Sequence, residues 1–235
     1  WRTGSGKFMD YCSDTFGTVA DVGPGSPTGV CFGYGAKFPA KYQNAFFISD
    51  WSYGKLYAVH LSPQGSTYTG KVEEFASAQP FPLTDLLVNP KDGAMYIAVG
   101  GRKVQSGLYR ITYEGKESTV PAKSMSGGEE ARKRRQALES FVQREAKPAN
   151  KNQLNKIWSS LAAQDRGIRH AARVALEKQP VKKWKGRLAS EKSPIAASAA
   201  MIALARADAT SGETVLQKAM TFKYRDLKSR QQKLD

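Results

Sequence analysis

The chain has 235 residues, of which 40% are hydrophobic and 24% are charged, so it can bury a core and is too apolar for wholesale disorder. Its uncharged apolar runs fall far short of the ~20 residues that a membrane-spanning helix needs. Two cysteines and two distant histidines predict neither a disulfide-rich scaffold nor a metal centre. Because the first residue is Trp1 rather than Met, we expect a processed or cropped chain from which any export signal is missing.

Charge and glycine content divide the chain into two halves of different class. Residues 1–120 carry 11 Lys and Arg against 10 Asp and Glu, a net charge of +1, whereas the other 25 against 11 give residues 121–235 a net charge of +14. Sixteen of the 21 glycines also lie in the first half. We therefore expect a strand domain at 1–115, a linker at 116–128 and a basic helical domain at 129–235.

The first half has the alternation and turn residues of antiparallel strands. Residues 44–61, NAFFISDWSYGKLYAVHL, predict two strands around a turn at 52–55. Further strands are expected at Lys71–Phe75, Thr84–Val88, Ala94–Val99 and Gly107–Tyr113. Both Gly54 and Gly107 precede a Leu-Tyr pair, and their separation of 53 residues is typical of β-propeller blades, although an ordinary meander would give the same pattern.

The second half has apolar residues at helical spacing. They predict helices at Glu129–Glu145, around Leu154–Leu161, from Asp165 to Pro180, at Val181–Ser190, at Pro194–Ala207, and a last helix that includes Val215 and Met220. The string DRGIRHAARVAL at 165–176 fits the second helix of a HEAT-type repeat, which indicates an α-solenoid.

Candidate functional residues occur in both halves. A polar set lies at predicted strand ends: Asp50, Trp51, Tyr53, Asp85 and Arg102. Asp85 has an equally weighted alternative as a turn carboxylate that accepts backbone amides. Cys12 and Cys31 form a candidate disulfide in an oxidising compartment, and two buried free thiols are the alternative.

The predicted helices also carry a wide excess of basic side chains. A candidate docking surface comprises Arg166, Arg169, Arg173, Lys182, Lys183 and Lys185. Such a surface suits an acidic protein, an anionic polysaccharide or nucleic acid, and a merely solubilising role is the alternative. Nucleic acid is the less favoured partner, because no aromatic side chains interleave with the cations.

Three stretches, residues 23–61, 82–115 and 165–180, resemble one protein family and keep its domain order. The family comprises large secreted bacterial proteins known as membrane-bound dehydrogenases. They join a glucose/sorbosone-dehydrogenase-like β-propeller to HEAT repeats and usually to a c-type cytochrome domain. The resemblance implies a fold class of β then α, with a partial β-propeller formed by its last blades and followed by a HEAT-like α-solenoid. The rest of the chain or another subunit would then cover the propeller edges.

The resemblance also implies cofactors and roles. Pyrroloquinoline quinone and calcium would bind the full propeller, and haem c would lie in a domain beyond residue 235. Asp85 matches the Asp of a Pro-x-x-Asp stretch that opens a blade strand, here Pro82-Leu83-Thr84-Asp85. As catalytic candidates, Asp85 would supply an acceptor or calcium ligand and Arg102 a cation that stabilises developing charge.

The function that this implies is a periplasmic or extracellular oxidoreductase that resembles quinone-dependent sugar or aldehyde dehydrogenases and passes electrons to the haem domain. Residues 1–235 alone are expected to be inactive. The basic helices would dock an acidic redox partner or an anionic glycan. The alternative is a non-catalytic propeller and HEAT module that binds carbohydrate, protein or, through the basic helices, nucleic acid.

Overall fold

The computed structural model describes residues 14–101, 103–223 and 227, which form two compact units. The strand unit comprises residues 18–64 and 68–127. The helical unit comprises residues 128 onward, together with 65–67 and the described part of the N-terminal segment, residues 14–17. The helical unit is therefore discontinuous in sequence.

The described strands form two antiparallel sheets. They are β1 (Pro27–Phe32), β2 (Ala45–Asp50), β3 (Lys55–Gln64), β4 (Thr67–Ser77), β5 (Leu83–Val88), β6 (Met95–Gly101) and β7 (Val104–Ile111), with a short helix α1 (Ala40–Gln43) between β1 and β2. One sheet has four strands in the order β1-β2-β3-β4, and the other has three in the order β5-β6-β7.

Both sheets contribute to one apolar core, to which β2 and β6 present alternate side chains. In the four-stranded sheet Phe47 pairs with Ala58, and both are fully buried. In the three-stranded sheet Met95 and Ile97 face the same core. The β2–β3 turn requires glycine at position 54, where φ is +61° and a Cβ would lie 2.5 Å from the carbonyl oxygen of Ala78.

The helical unit is built from helices of unequal length. They are α2 (Glu129–Glu139), α3 (Lys151–Ser160), α4 (Arg166–Glu177), α5 (Lys185–Ser190), α6 (Pro194–Ala207) and α7 (Gly212–Met220), with 3₁₀ turns at Ser140–Val142, Val181–Lys183 and Ala209–Ser211. Trp184, Leu176 and Leu204 are fully buried in its core. Asp165 is the N-cap of α4, as predicted, and accepts a hydrogen bond from the Ile168 backbone. Within the described ranges no helix is both long and apolar enough to cross a membrane.

The predicted fold class, a partial β-propeller followed by a HEAT-like α-solenoid, is wrong. The strands form two small sheets of four and three strands that share a core, and the part of the chain described here contains no closed barrel or propeller. The helices that follow are interrupted by 3₁₀ turns, and α5 has only six residues. Local strand and helix patterns specified the elements, but they do not determine how sheets and helices pack.

Candidate functional site

A highly charged cluster of the helical unit lies on α4 and α6. Arg166, His170 and Arg173 are spaced by four and three residues, so they share one face of α4. Arg206 comes from the last turn of α6. We name these four side chains, Arg166, His170, Arg173 and Arg206, the basic clamp.

The basic clamp holds the carboxylate of Asp14. Arg173 and Arg206 both donate hydrogen bonds to Asp14, and His170 Nε2 lies 3.7 Å from its Oδ1. Arg173 is 2% exposed and also pairs with Glu177, so its buried charge is balanced by two carboxylates. The side chain of Asp14 is 44% exposed, which places this ion pair at the rim of the unit.

The two residues after Asp14 continue the contact. Arg166 donates a hydrogen bond to the carbonyl oxygen of Thr15. The ring of Phe16 meets His170 edge to face at 4.8 Å between centroids, and the Arg166 guanidinium lies 5.6 Å from the Phe16 centroid. The basic clamp therefore contacts a carboxylate, a backbone carbonyl and an aromatic ring of one short segment.

The clamp changes the protonation of the groups that meet in it. The hydrogen bond from Arg206 lowers the pKa of Asp14, with further contributions from the charges of Arg173 and Arg206. Burial lowers the pKa of His170, and the neighbouring Arg173 lowers it further. At neutral pH the site therefore presents an ionised carboxylate to guanidinium groups beside a neutral imidazole.

The strand unit contains a second polar cluster around Glu73 of β4. Glu73 Oε1 accepts a hydrogen bond from the hydroxyl of Tyr42 at 2.7 Å, and Glu73 Oε2 lies 2.6 Å from Nε2 of His60. Lys41 Nζ lies 3.5 Å from Glu73 Oε1 and 4.3 Å from the centroid of the Tyr42 ring. We name Lys41, Tyr42, His60 and Glu73 the Glu73 cluster.

A surface cavity of about 670 Å³ lies beside the Glu73 cluster, and Lys41, His60, Lys71 and Glu73 are among its lining residues. The hydrogen bond from Tyr42 lowers the pKa of Glu73, so this carboxylate is ionised at neutral pH. Because both of its oxygens already have partners, Glu73 serves to join α1, β3 and β4.

The catalytic candidate Asp85 occupies an exposed position on β5. Its Oδ1 accepts a hydrogen bond from the backbone of Leu86 at 2.8 Å, and a Cβ at Gly29 would lie 2.7 Å from its Cα. Among the residues described, no group of three or more His, Cys, Asp or Glu side chains could hold a metal ion. Pyrroloquinoline quinone, calcium and haem c stay predictions.

Two of the other polar candidates of the strand unit, Asp50 and Trp51, form hydrogen bonds with backbone groups. Asp50 is buried, and its Oδ1 accepts hydrogen bonds from the backbones of Ser26 and Ser52. The Trp51 indole donates to the carbonyl oxygen of Gly100, and Tyr53 is about half exposed. Arg102 lies outside the described residues, so the pairing of Asp85 with Arg102 at one rim stays a prediction.

The candidate disulfide also involves a residue outside the described ranges, Cys12. Cys31 has a free thiol, and burial, helped by the charge of Asp85, raises its pKa to about 11. Cys31 is therefore almost entirely a thiol at neutral pH.

The predicted docking surface divides into engaged and exposed side chains. Besides the clamp members Arg166 and Arg173, Arg169 donates to the carbonyl oxygens of residues 163 and 164, and Lys185 donates to Ser211. Lys182 and Lys183 are exposed on the 3₁₀ turn before α5. Four of the six predicted docking residues therefore have partners within the helical unit, and the docking surface stays a prediction.

No family model, curated protein or solved structure matches this chain. The dehydrogenase function and the periplasmic or extracellular location, which rest on the resemblance, stay predictions.

Several residues of the two clusters have little or no signal in the sequence. His60 and Glu73 lie on either side of the β3–β4 turn at similar distances from it, so hairpin pairing could have brought them together. Asp14 lies 159 residues from Arg173 and 192 from Arg206, and no local pattern links positions so far apart.

Proposed function

We propose that this chain is a protein-interaction module that binds extended acidic segments through the basic clamp. The observation that carries the proposal is that the clamp contacts Asp14, Thr15 and Phe16 through three different chemical groups. Recognition of a carboxylate, the backbone and a ring within three residues is typical of sites that bind an extended peptide.

The burial of Arg173 supports binding rather than a solubilising role. A guanidinium that is 2% exposed needs carboxylate partners, since a buried unpaired charge costs several kcal/mol. One partner, Glu177, lies on the same helix, and the other, Asp14, lies on a segment outside any described helix or strand. A similar segment of a partner protein can take its place, because no helix or strand of this chain has to unfold to release it.

The chemistry of the clamp favours a peptide over the other anions considered. A sulfated glycan or a phosphate could pair with Arg173 and Arg206, but it offers no ring to the edge-to-face contact that Phe16 makes with His170. The expected ligand therefore contains an acidic residue followed two positions later by an aromatic one.

The test uses the whole chain and the peptide Ser-Asp-Thr-Phe-Gly-Thr, the sequence of residues 13–18, with a fluorescent label. In the unchanged chain the clamp is occupied, so the peptide must displace residues 14–16. The double substitution Asp14→Ala and Phe16→Ala opens the clamp, and we expect it to tighten peptide binding at least about tenfold, as measured by fluorescence anisotropy.

Matched substitutions in the opened chain show whether the peptide uses the clamp. Arg206→Ala removes one clamp cation, and we expect it to weaken binding by about five- to tenfold. Lys182→Ala also removes one positive charge, but from an exposed side chain, and we expect it to change binding less than about twofold. A peptide that does not bind the opened chain, or that loses equal affinity with both substitutions, would overturn the proposal.

A further inference from the structure

The β7 strand differs from the other outer strands of the two sheets. At the outer edge of β4, the Gly70 backbone donates a hydrogen bond to the carbonyl oxygen of Val19. The outer strands β1 and β5 contact each other, where the Thr28 hydroxyl donates to the carbonyl oxygen of Leu83 at 2.7 Å. No backbone hydrogen bond joins β7 to any described residue outside its neighbour β6.

A comparison of β3 with β7 shows how a second neighbouring strand changes the burial of side chains. β3 lies between β2 and β4, and its central residues Leu56–Val59 are all at most 9% exposed. β7 occupies the corresponding third place in the other sheet, where Leu108 is 73% exposed and Tyr109 is 53% exposed. The side chains of successive strand residues point to opposite faces, so apolar surface is exposed on both faces of β7.

We propose that β7 is an interface at which two copies of this chain pair edge to edge. Antiparallel pairing about a two-fold axis at Leu108 would join two three-stranded sheets into one sheet of six strands. This register sets the Leu108 side chains of the two copies opposite each other and Arg110 opposite Ser106. No two like charges face each other across the interface.

The distribution of charge identifies a second copy as a suitable partner at this edge. The net charge of +14 lies in residues 121–235, whereas residues 1–120, which include β7, have a net charge of +1. The basic residue near the centre of β7, Arg110, is paired with Asp92 at 3.1 Å. The paired residues of β7 therefore add little electrostatic repulsion of their own. β7 also has no proline and no lysine in its length, the residues with which many proteins protect an edge strand.

The experiment is sedimentation equilibrium of the whole chain across micromolar concentrations at physiological salt. We expect a monomer–dimer equilibrium, and we expect Leu108→Lys to weaken the dimer at least about tenfold, because it puts two like charges next to the axis. The control is Leu216→Lys on α7, where Leu216 is 56% exposed, and it should leave the equilibrium unchanged. Hydrogen exchange of the β7 amides should slow as the dimer forms.

Two outcomes would overturn this proposal: a chain that stays monomeric at every concentration, or a dimer that Leu108→Lys leaves intact. If Leu108→Lys lowers the thermal unfolding temperature by itself, Tyr109→Lys replaces it as the test variant. The peptide-binding assay described above uses other residues, so failure of either experiment leaves the other result standing.

Discussion

In each unit of the molecule a histidine and cationic or hydroxyl donors surround one carboxylate, Glu73 in the strand unit and Asp14 in the helical unit. The two carboxylates lie on different kinds of backbone segment. Glu73 is part of strand β4 and holds α1 and β3 to it. Asp14 lies on a segment without regular secondary structure and is held by the helices α4 and α6. Glu73 cannot leave its cluster without disrupting the sheet, whereas the proposed function requires that another carboxylate can replace Asp14.

This comparison separates a structural cluster from a candidate binding site more clearly than charge or burial does. Both clusters have short contacts and both lower the pKa of their carboxylate. What differs is the cost of releasing the carboxylate, because β4 is hydrogen-bonded to β3 in a sheet and residues 14–16 are not part of a sheet.

The largest effect is expected from removing Glu73. Glu73→Ala leaves the Tyr42 hydroxyl and the His60 ring without their acceptor, so we expect the free energy of unfolding to fall by about 1 to 2 kcal/mol. Urea denaturation measures it. The neighbouring Glu74 is the control: it is exposed and pairs with Lys55 and Ser77 at the surface, so Glu74→Ala should cost clearly less. Equal losses for the two variants would contradict the structural role of the Glu73 cluster.

A smaller and local effect is expected at Asp14. Asp14→Asn should release residues 14–17 and increase their cleavage by a non-specific protease several-fold. Because Glu177 still pairs with Arg173, the urea midpoint should fall less than in Glu73→Ala. Because the folded pKa of Asp14 is lowered, its contribution is complete above the unfolded pKa of 3.8 and is lost as the pH falls through the folded value. The unchanged chain should therefore release this segment only in acid, and cleavage that is unaffected by Asp14→Asn would break the comparison.

The smallest effect is expected from His170. Its folded pKa is lowered, so the folded state takes up fewer protons than the unfolded state, and stability declines as the pH falls below the unfolded value of 6.5. His170→Phe keeps a ring against Phe16 and removes this titration. The thermal unfolding temperature of the unchanged chain should therefore fall slightly between about pH 7.5 and 5.5, and that of the variant should fall less. If the unfolding temperatures of the two chains fall equally with pH, the protonation of His170 does not contribute to the pH dependence of stability.

The local elements were largely predictable from the sequence. The strand–turn–strand pattern of residues 44–61 is confirmed by β2 and β3, which pair in register from Ala45 with His60 to Asp50 with Lys55. The predicted helix Pro194–Ala207 has the same bounds in the structure, where Ser193 caps it. Periodicity and caps act over a few residues, so they are legible in the chain itself.

The arrangement of these elements and the basic clamp were not predictable. A hairpin pattern is compatible with many ways of packing one sheet on another, and the choice of a propeller was wrong. Arg173 was expected on a solvent-facing docking surface, yet it is buried because Asp14 and Glu177 balance its charge. The contact with Asp14 spans 159 residues, and no local pattern contains it.

The discontinuity of the helical unit has a consequence for the order in which the chain is made. Residues 14–17 leave the ribosome before either unit is complete, but Arg173, which holds Asp14, is synthesised 159 residues after it. At about 5 to 20 residues per second this interval lasts roughly 8 to 30 s. The strand unit is completed within the interval, whereas residues 14–17 have to wait for their helices. During synthesis the nascent chain therefore presents an unoccupied Asp-Thr-Phe sequence before it presents the clamp.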